Sequence, residues 1–227
     1  MDGIRIERGG INDYNALARW HYRAATPAVP VLTLRAVCER TGDTVGALVI
    51  AMPVLNGPWR KLAWPDWLDG LDKRAQAQAV NTHLRTIARL VVTPPYRARG
   101  VGSRLVRAYL ASPLTARTEA LAAMGALCPV FERAGMRRVQ CPMSRAATQV
   151  ARSLRERNVP TWALADRTTR RRLARDPRIE RALRSLAADR WRSGRNRPAQ
   201  ELLERLWVNV ASRPAAFVTE HASSTTN

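Results

Sequence analysis

Lysine is nearly absent from this chain of 227 residues, so its positive charge comes almost wholly from arginine. Only Lys61 and Lys73 occur, yet the sequence has 38 basic residues against 18 acidic ones and a formal net charge of +20. Because a guanidinium group matches phosphate better than an ammonium group does, this excess favours polyanions, nucleic acid first and an anionic membrane surface second. Arginine-rich coding habits of the host would produce the same composition.

Cysteine is also scarce, and long apolar runs are missing. Cys38, Cys128 and Cys141 form no CxxC pattern, and an odd, unpatterned set fits reduced cytosolic thiols better than disulfides or a zinc site. We therefore predict no metal. No apolar run approaches the length of a membrane span, and the acidic start Met1-Asp2-Gly3 is not followed by the apolar core of a signal peptide. These features predict a cytoplasmic protein without membrane contact.

The rest of the chain is organised around Ile87–Arg107, which predicts a strand, a turn and a helix. Apart from Arg89, Ile87–Val92 is apolar and rich in β-branched residues, which suits a largely buried strand, and the prolines of Thr93-Pro94-Pro95 end it. Gly100 and Gly102 then open an amphipathic helix. A glycine-rich turn at a helix start presents free backbone N–H groups and the positive end of the helix dipole, which suits a pyrophosphate.

The spacing Arg97-x-x-Gly100-x-Gly102 after a strand resembles the acyl-CoA-binding motif of the GNAT superfamily of N-acyltransferases. Val130–Met136 resembles a second GNAT segment, and the resemblance covers about residues 3–142. It implies an α/β fold with a mixed, mostly antiparallel central sheet whose central strands are splayed, and here a C-terminal helical extension is added.

The predicted domains follow from this order. Residues 1–143 form the GNAT-like acyl-CoA-binding domain, in which residues 53–84 are an insertion that the family usually lacks. Residues 144–213, dominated by Ala, Arg, Leu and Glu with helical periodicity, form a basic helical extension. Residues 214–227 are predicted to be a disordered tail.

The resemblance also implies a cofactor, acetyl-CoA or another acyl-CoA. The pantetheine arm would enter between the splayed strands and bond to the backbone of the first one, while the turn holds the pyrophosphate. The implied cofactor-binding residues are Leu90, Val91, Val92, Arg97, Arg99, Gly100, Val101 and Gly102.

Catalysis is less well determined, because many family members place a tyrosine acid where Phe131 stands. Cys128, Tyr22 or a water molecule are the substitutes that remain open. The candidate bases are Glu119, which is expected on the strand flanking the cleft, Glu132 and His21. The alternative for Glu119 is a salt bridge to Arg89 on the neighbouring strand.

The pair His21-Tyr22 also resembles, in placement, a His-Tyr pair of phage Mom-type DNA-modifying proteins, a GNAT-like branch. That resemblance implies a nucleobase amine as the acceptor and a base flipped out of a duplex. The predicted catalytic residues are thus Glu119, His21 and Tyr22. The predicted nucleic-acid contacts are Arg60, Lys61, Arg170, Arg171 and Arg172, with tryptophans of the insertion either stacking on bases or plugging the insertion onto the core.

Three functions remain open from the sequence. The first is an acyl-CoA-dependent N-acyltransferase, or a related modifying enzyme, that acts on nucleic acid. The second is a GNAT acetyltransferase for a protein or small amine, whose charge is incidental. The third is a GNAT-like module without catalysis that binds nucleic acid or another partner. The acyl group and the oligomeric state are not predicted.

Overall fold

A computed structural model describes residues 3–21, 25–122, 125, 128–141, 145–190, 197–211 and 215–221. These residues form a seven-stranded sheet in the order β1-β2-β3-β4-β5-β7-β6. The strands are β1 Ile4–Gly9, β2 Pro30–Cys38, β3 Thr44–Ala51, β4 Leu84–Val92, β5 Arg117–Ala122, β6 Arg137–Gln140 and β7 Ala215–Glu220. The helices are α1 Ile11–Leu17, α2 Arg60–Ala63, α3 Lys73–His83, α4 Val101–Leu110, α5 Arg145–Arg155, α6 Arg167–Leu173, α7 Pro177–Arg190 and α8 Ala199–Ala211.

The sheet is mixed and mostly antiparallel, as the sequence predicts. Only β4 and β5 pair in parallel, and every other neighbouring pair in the described sheet is antiparallel. Helix α4 packs its apolar residues Val101, Leu105, Val106 and Tyr109 into the same core as the inward residues of β2 and β3. On the other side, Tyr14 and Leu17 of α1 pack on Ala47, Val49 and Val91.

The chain divides into two compact units by its contacts. One contains residues 1–140 and 215–227, and therefore all seven strands; the other contains residues 141–214. The second unit has its own core, built around leucines of α7 and α8 such as Leu183, Leu186, Leu202 and Leu203. Among the described residues, none of the helices has both the length and the apolar character that crossing a bilayer requires.

Two predictions about the end of the chain are wrong. The helical segment is not a C-terminal extension, because β7 follows it and returns to the sheet between β5 and β6. For the same reason residues 214–227 are not simply a tail, since Ala215–Glu220 form a strand with ladders on both sides. Residues 222–227 lie outside the described residues. The helical unit is thus an insertion between β6 and β7, two neighbouring antiparallel strands.

Candidate cofactor site

Strands β4 and β5 pair along only part of their length. Their parallel ladder runs from Leu84 with Arg117 to Ile87 with Ala120, although β4 continues to Val92 and β5 to Ala122. Among the described strands, β3 alone pairs with Leu90, Val91 and Val92, and the Val92 carbonyl also accepts from the Arg97 side chain. Since a strand has donors and acceptors on both edges, the edge of β4 that faces β5 offers its backbone groups to a ligand here.

A β-bulge lies where β4 leaves β5. The ladder between β3 and β4 passes from Val49 with Arg89 to Ile50 with Ile87, so Ala88 is the extra residue. The Ala88 carbonyl accepts a hydrogen bond of 2.8 Å from Nη1 of Arg89. A bulge bends and twists its strand, which helps to explain why β4 turns away from β5 at this point.

The turn after β4 has a special backbone. Gly100 has φ +79°, and Ala98 has φ +60°, the left-handed region that costs a residue with a Cβ about 1–2 kcal/mol. A Cβ built on Gly100 meets no atom within 4 Å, so the requirement for glycine comes from the backbone and the space above it is open. Helix α4 starts at the next residue, and its first N–H groups have no acceptor within the helix.

The two arginines of the turn are held differently. Arg97 is tied into the protein: Nε donates to the Val92 carbonyl at 3.0 Å and Nη2 to the Trp20 carbonyl at 3.1 Å. Arg99 is exposed, with its guanidinium 5.4 Å from the centre of the Tyr96 ring. Arg97 therefore fixes the turn against the end of β4, whereas Arg99 is the one placed to meet an anion.

The two sequence motifs contact each other. A Cβ on Gly102 would lie 3.0 Å from a methyl group of Val130, so only glycine lets these segments approach so closely. Ser103 Oγ donates to the Val130 carbonyl at 3.1 Å, and Arg107 Nη1 donates to the Arg133 carbonyl at 3.1 Å. The segment Val130–Met136 thus packs against α4 and is hydrogen-bonded to it.

Phe131 occupies the core and offers no proton. Its ring stacks on Phe217 of β7 with centroids 5.0 Å apart, and only 6 % of the residue is exposed. Among the substitutes considered for the missing tyrosine acid, Cys128 is exposed, and Tyr22 lies outside the described residues.

Glu119 is sealed inside a buried cluster, which contradicts its predicted role as general base. Its carboxylate accepts from Arg60 Nη2 at 2.7 Å and Nε at 2.9 Å, from Trp59 Nε1 at 2.9 Å and from Thr86 Oγ1 at 2.9 Å. Only 1 % of Glu119 is exposed. A base must reach the proton it removes, and this carboxylate is fully occupied by the protein.

The predicted alternative, a salt bridge from Glu119 to Arg89, is also wrong. Arg89 lies past the end of the β4–β5 ladder and donates to the Ala25 carbonyl instead. The residue of β4 opposite Glu119 is Thr86, and the cation comes from the insertion.

Arg60 is therefore not a nucleic-acid contact. It is 2 % exposed, and besides Glu119 it donates to the carbonyls of Val54 and Leu55 at 2.7 and 2.8 Å. Gly57 leaves room for this side chain, because a Cβ there would lie 2.8 Å from Arg60 Nε. No signal local to the insertion identifies a partner 59 residues away, which is why sequence reasoning missed this ion pair.

The tryptophans of the insertion pack on the protein, as one of the two sequence interpretations expects. Trp59 and Trp64 are buried, and the edge of Trp64 meets Trp67 with centroids 5.5 Å apart. The guanidinium of Arg117 on β5 lies 4.6 Å from the Trp67 ring centre. These indoles fasten residues 53–84 to the sheet and are not presented for stacking on bases.

The remaining predicted residues do not form one cavity. His21 lies half-buried with its ring edge-on to Tyr14, at a centroid distance of 6.1 Å. One cavity of about 370 Å³ lies beside the turn, lined in part by Tyr96, Arg99, Val101 and Arg104, and another of about 270 Å³ lies near Trp64 and β7. Neither is lined by His21 or Glu119. No group of metal-ligating side chains is found within the described ranges.

The predicted nucleic-acid residues differ in availability. Lys61, Arg171 and Arg172 are exposed. Arg170 is half-buried, and its Nη1 donates to the carbonyls of Leu164 and Ala165 at 2.7 and 2.8 Å. Arg170 thus holds α6 onto the preceding turn and is a weaker candidate for phosphate than its two neighbours.

No protein-family model matches the chain, and no curated protein matches it. Several solved structures are similar to it, and three of them illustrate the similarity. Arabidopsis thaliana NAA60 in complex with acetyl-CoA is 16 % identical, with a TM-score of 0.41, over 61 % of this chain and 86 % of that one. A GNAT family acetyltransferase from Brucella melitensis in complex with acetyl-CoA is 16 % identical, with a TM-score of 0.39, over 60 % of this chain and 84 % of that one.

The third structure is a mosquito arylalkylamine N-acetyltransferase like 5b, 9 % identical with a TM-score of 0.36, over 60 % of this chain and 84 % of that one. With identities this low and TM-scores below 0.5, these similarities carry no weight for function. What the site can do therefore rests on this chain's own strands, turn and side chains.

Proposed function

We propose that this chain is an acyl-CoA-dependent N-acyltransferase of the GNAT type. The observation that carries the proposal is the edge of β4 beyond Ile87, which leaves its partner and runs into a turn with Gly100 in the left-handed conformation. An extended backbone edge suits the amides of a pantetheine arm, and the turn with the start of α4 suits a pyrophosphate. Both features lie at the same end of β4.

The residues present fit such a cofactor. Leu90, Val91 and Val92 would hold the arm by the backbone groups that β3 and the Arg97 side chain leave free, and the N–H groups from Ala98 to Gly102 would hold the pyrophosphate, with Arg99 as a charged contact. The open space above Gly100 leaves room for phosphate oxygens. Bound acyl-CoA supplies an activated acyl group as a thioester.

The protein's share of the chemistry is to orient an amine and accept its proton. Glu119 is excluded by its burial, so of the predicted catalytic set His21 and Tyr22 remain candidates. A histidine exchanges protons near neutral pH, which suits either the base or the acid role. Cys128, which is exposed, or a water molecule remain the alternatives for protonating the leaving thiolate.

For the acceptor, the finer proposal is nucleic acid, and the motivation is charge. The inserted helical unit, residues 141–214, contains 18 arginines and 7 acidic residues, a net charge of +11 in about a third of the chain. A Mom-like reaction on a nucleobase amine is the narrower form of this proposal and depends on His21 and Tyr22. A protein or small amine is the alternative acceptor.

Calorimetry with acetyl-CoA tests the cofactor site. Gly100→Val puts a side chain into the space assigned to phosphate and should weaken binding at least tenfold. Gly70→Val is the matched control, because Gly70 has φ +73° and the same open surroundings but lies in the insertion. A folded Gly100→Val protein with unchanged affinity would exclude this turn as the cofactor site.

A second candidate function is a non-catalytic module, and the stacking of Phe131 on Phe217 favours it. With an apolar core where the family often has a proton donor, the fold could bind a cofactor or nucleic acid without turnover. Acetyl-CoA binding without thioester hydrolysis or transfer to any tested amine or oligonucleotide would support this candidate over the enzyme.

A further inference from the structure

The arginines of the inserted helical unit differ in whether they are bonded to other groups of the protein. Several arginines serve the unit itself: Arg157 binds Asp176 at 2.6 Å and Arg170 binds two carbonyls. Others pair with a glutamate four positions away, such as Arg152 with Glu156 and Arg184 with Glu180. These arginines stabilise the helices, and their bonds to carboxylates and carbonyls make them weaker candidates for binding an external anion.

A contiguous set of arginines lacks such partners. Arg167, Arg171, Arg172, Arg175 and Arg178 are all exposed, and none forms an ion pair with another described residue. They follow one another along α6, the turn after it and the first turn of α7. We call these five side chains the α6 arginine surface.

The two acidic residues within this segment, Asp166 and Asp176, accept hydrogen bonds from backbone N–H groups at the starts of helices. Asp166 caps α6 by accepting from the Thr169 N–H at 2.6 Å, and Asp176 caps α7 by accepting from the Arg178 N–H at 2.9 Å. Asp176 also pairs with Arg157. Six arginines against these two carboxylates leave residues 166–178 with a net charge of +4, which attracts a polyanion.

An exposed tryptophan comes shortly before the α6 arginine surface in the sequence. Trp162 is 72 % exposed, the most exposed of the large apolar side chains in the described ranges, whereas Leu164 in the same short 3₁₀ helix is fully buried. The bonds from Arg170 to the carbonyls of Leu164 and Ala165 hold that 3₁₀ helix against α6. An exposed aromatic ring close in sequence to exposed arginines is the combination by which proteins bind single-stranded nucleic acid, since bases stack on the ring and cations contact the backbone.

We propose that Trp162 and the α6 arginine surface bind single-stranded nucleic acid. The arginines contact successive phosphates, and the indole stacks on an unpaired base. Bases of a duplex are already stacked on each other and shielded from such a ring, so the indole distinguishes single strands from duplexes. This site lies wholly within the helical unit, and it rests on the nucleic-acid part of the proposed function but not on acyl transfer.

Fluorescence anisotropy of the purified full chain with labelled 20-nucleotide DNA and RNA single strands, and with the matching duplex, tests this. We expect tighter binding to single strands, with affinity that falls steeply as salt is raised. Trp162→Ala should weaken single-strand binding about 5- to 150-fold, the range for one stacked base, and leave duplex binding nearly unchanged. Trp162→Phe should restore most of the loss, because a phenyl ring still stacks.

Charge controls complete the design. Arg171→Gln should weaken binding to all nucleic acids, whereas Arg152→Gln removes the same charge from a residue already paired with Glu156 and should have a smaller effect. Equal affinity for single strands and duplexes with no effect of Trp162→Ala would overturn the proposal. So would tight binding to phosphatidylserine vesicles with no binding to oligonucleotides. Acetyl-CoA calorimetry on Trp162→Ala separates this outcome from failure of the cofactor site.

Discussion

At the scale of single residues, the buried pair of Arg60 and Glu119 matters most for the candidate site. The carboxylate accepts four hydrogen bonds, two of them from the guanidinium group, at the point where β4 and β5 are still paired. It joins the insertion to both strands just before they separate. Glu119 therefore holds together the paired part of β4 and β5, next to the point where they separate, and does not transfer protons.

Removing one partner of this pair should be costly. Glu119→Gln or Arg60→Met alone should lower the free energy of unfolding by about 3–5 kcal/mol, because each leaves a buried group without its partner. The double variant Arg60→Met/Glu119→Gln should lose much less than the sum of the single losses. Urea unfolding of all four proteins measures this, and additive losses would mean that the pair is not coupled.

The turn residue Ala98 offers a prediction of opposite sign. It has a Cβ in the left-handed region, which is a strained state for alanine. Ala98→Gly should raise the free energy of unfolding by up to about 1 kcal/mol, since the relief of strain outweighs the added freedom of the unfolded chain. Gly100→Ala should lower it by about 1–2 kcal/mol, and thermal unfolding of the two variants gives the comparison.

At the scale of elements, the sequence predicts local units well and long-range pairs poorly. The strand, turn and helix from Ile87 to Leu110 follow from consecutive residues: β-branched residues, two prolines and a helix start at glycine. The ion pair of Arg60 with Glu119 and the stack of Phe131 on Phe217 depend on residues far apart in sequence. Strand β7 was missed because its six residues are separated from β6 by a long helical segment, and only the sheet register identifies them.

The junction of β5 and β7 should make stability depend on pH. His221 follows β7, and its Nε2 lies 3.1 Å from Thr118 Oγ1 of β5. Burial lowers the pKa of His221 below its usual 6.5, so the unfolded chain takes up its proton first as the pH falls. Stability should therefore fall as the pH drops from about 7 through the folded pKa.

His221→Gln should flatten that part of the stability curve, measured by urea unfolding between pH 7.5 and 5. The carboxylates act in another range: partners that include Arg157 and backbone N–H groups lower the pKa of Asp176 below 3.8, so its contribution is lost only in stronger acid. An unchanged slope between pH 7.5 and 5 in His221→Gln would contradict the assignment to this histidine.

At the scale of the whole molecule, the helical unit interrupts a hairpin. Gln140 and Ala215 are partners in the ladder between β6 and β7, so the two ends of the insertion lie side by side in the sheet. The unit also has its own core of buried leucines. Both features are those of an inserted domain that a host tolerates because its ends are close.

Replacing residues 141–214 by a two-residue Asn-Gly turn should therefore leave a folded sheet unit that binds acetyl-CoA. Asn-Gly supplies the turn that suits a tight hairpin. Circular dichroism and calorimetry would check folding and cofactor binding, and single-strand binding should be lost. An unfolded product would show that the sheet needs the helical unit, in contrast to what the separate cores indicate.

The late return of β7 also sets an order of events during synthesis. The ribosome must complete the helical unit before it makes the strand that covers β5 and β6. At ordinary elongation rates of about 5–20 residues per second, β5 waits several seconds with an open edge that invites pairing with another chain. A nascent chain stalled before Ala215 should therefore be the form most prone to aggregate and to recruit chaperones, while synthesis of β7 pairs the open edge of β5.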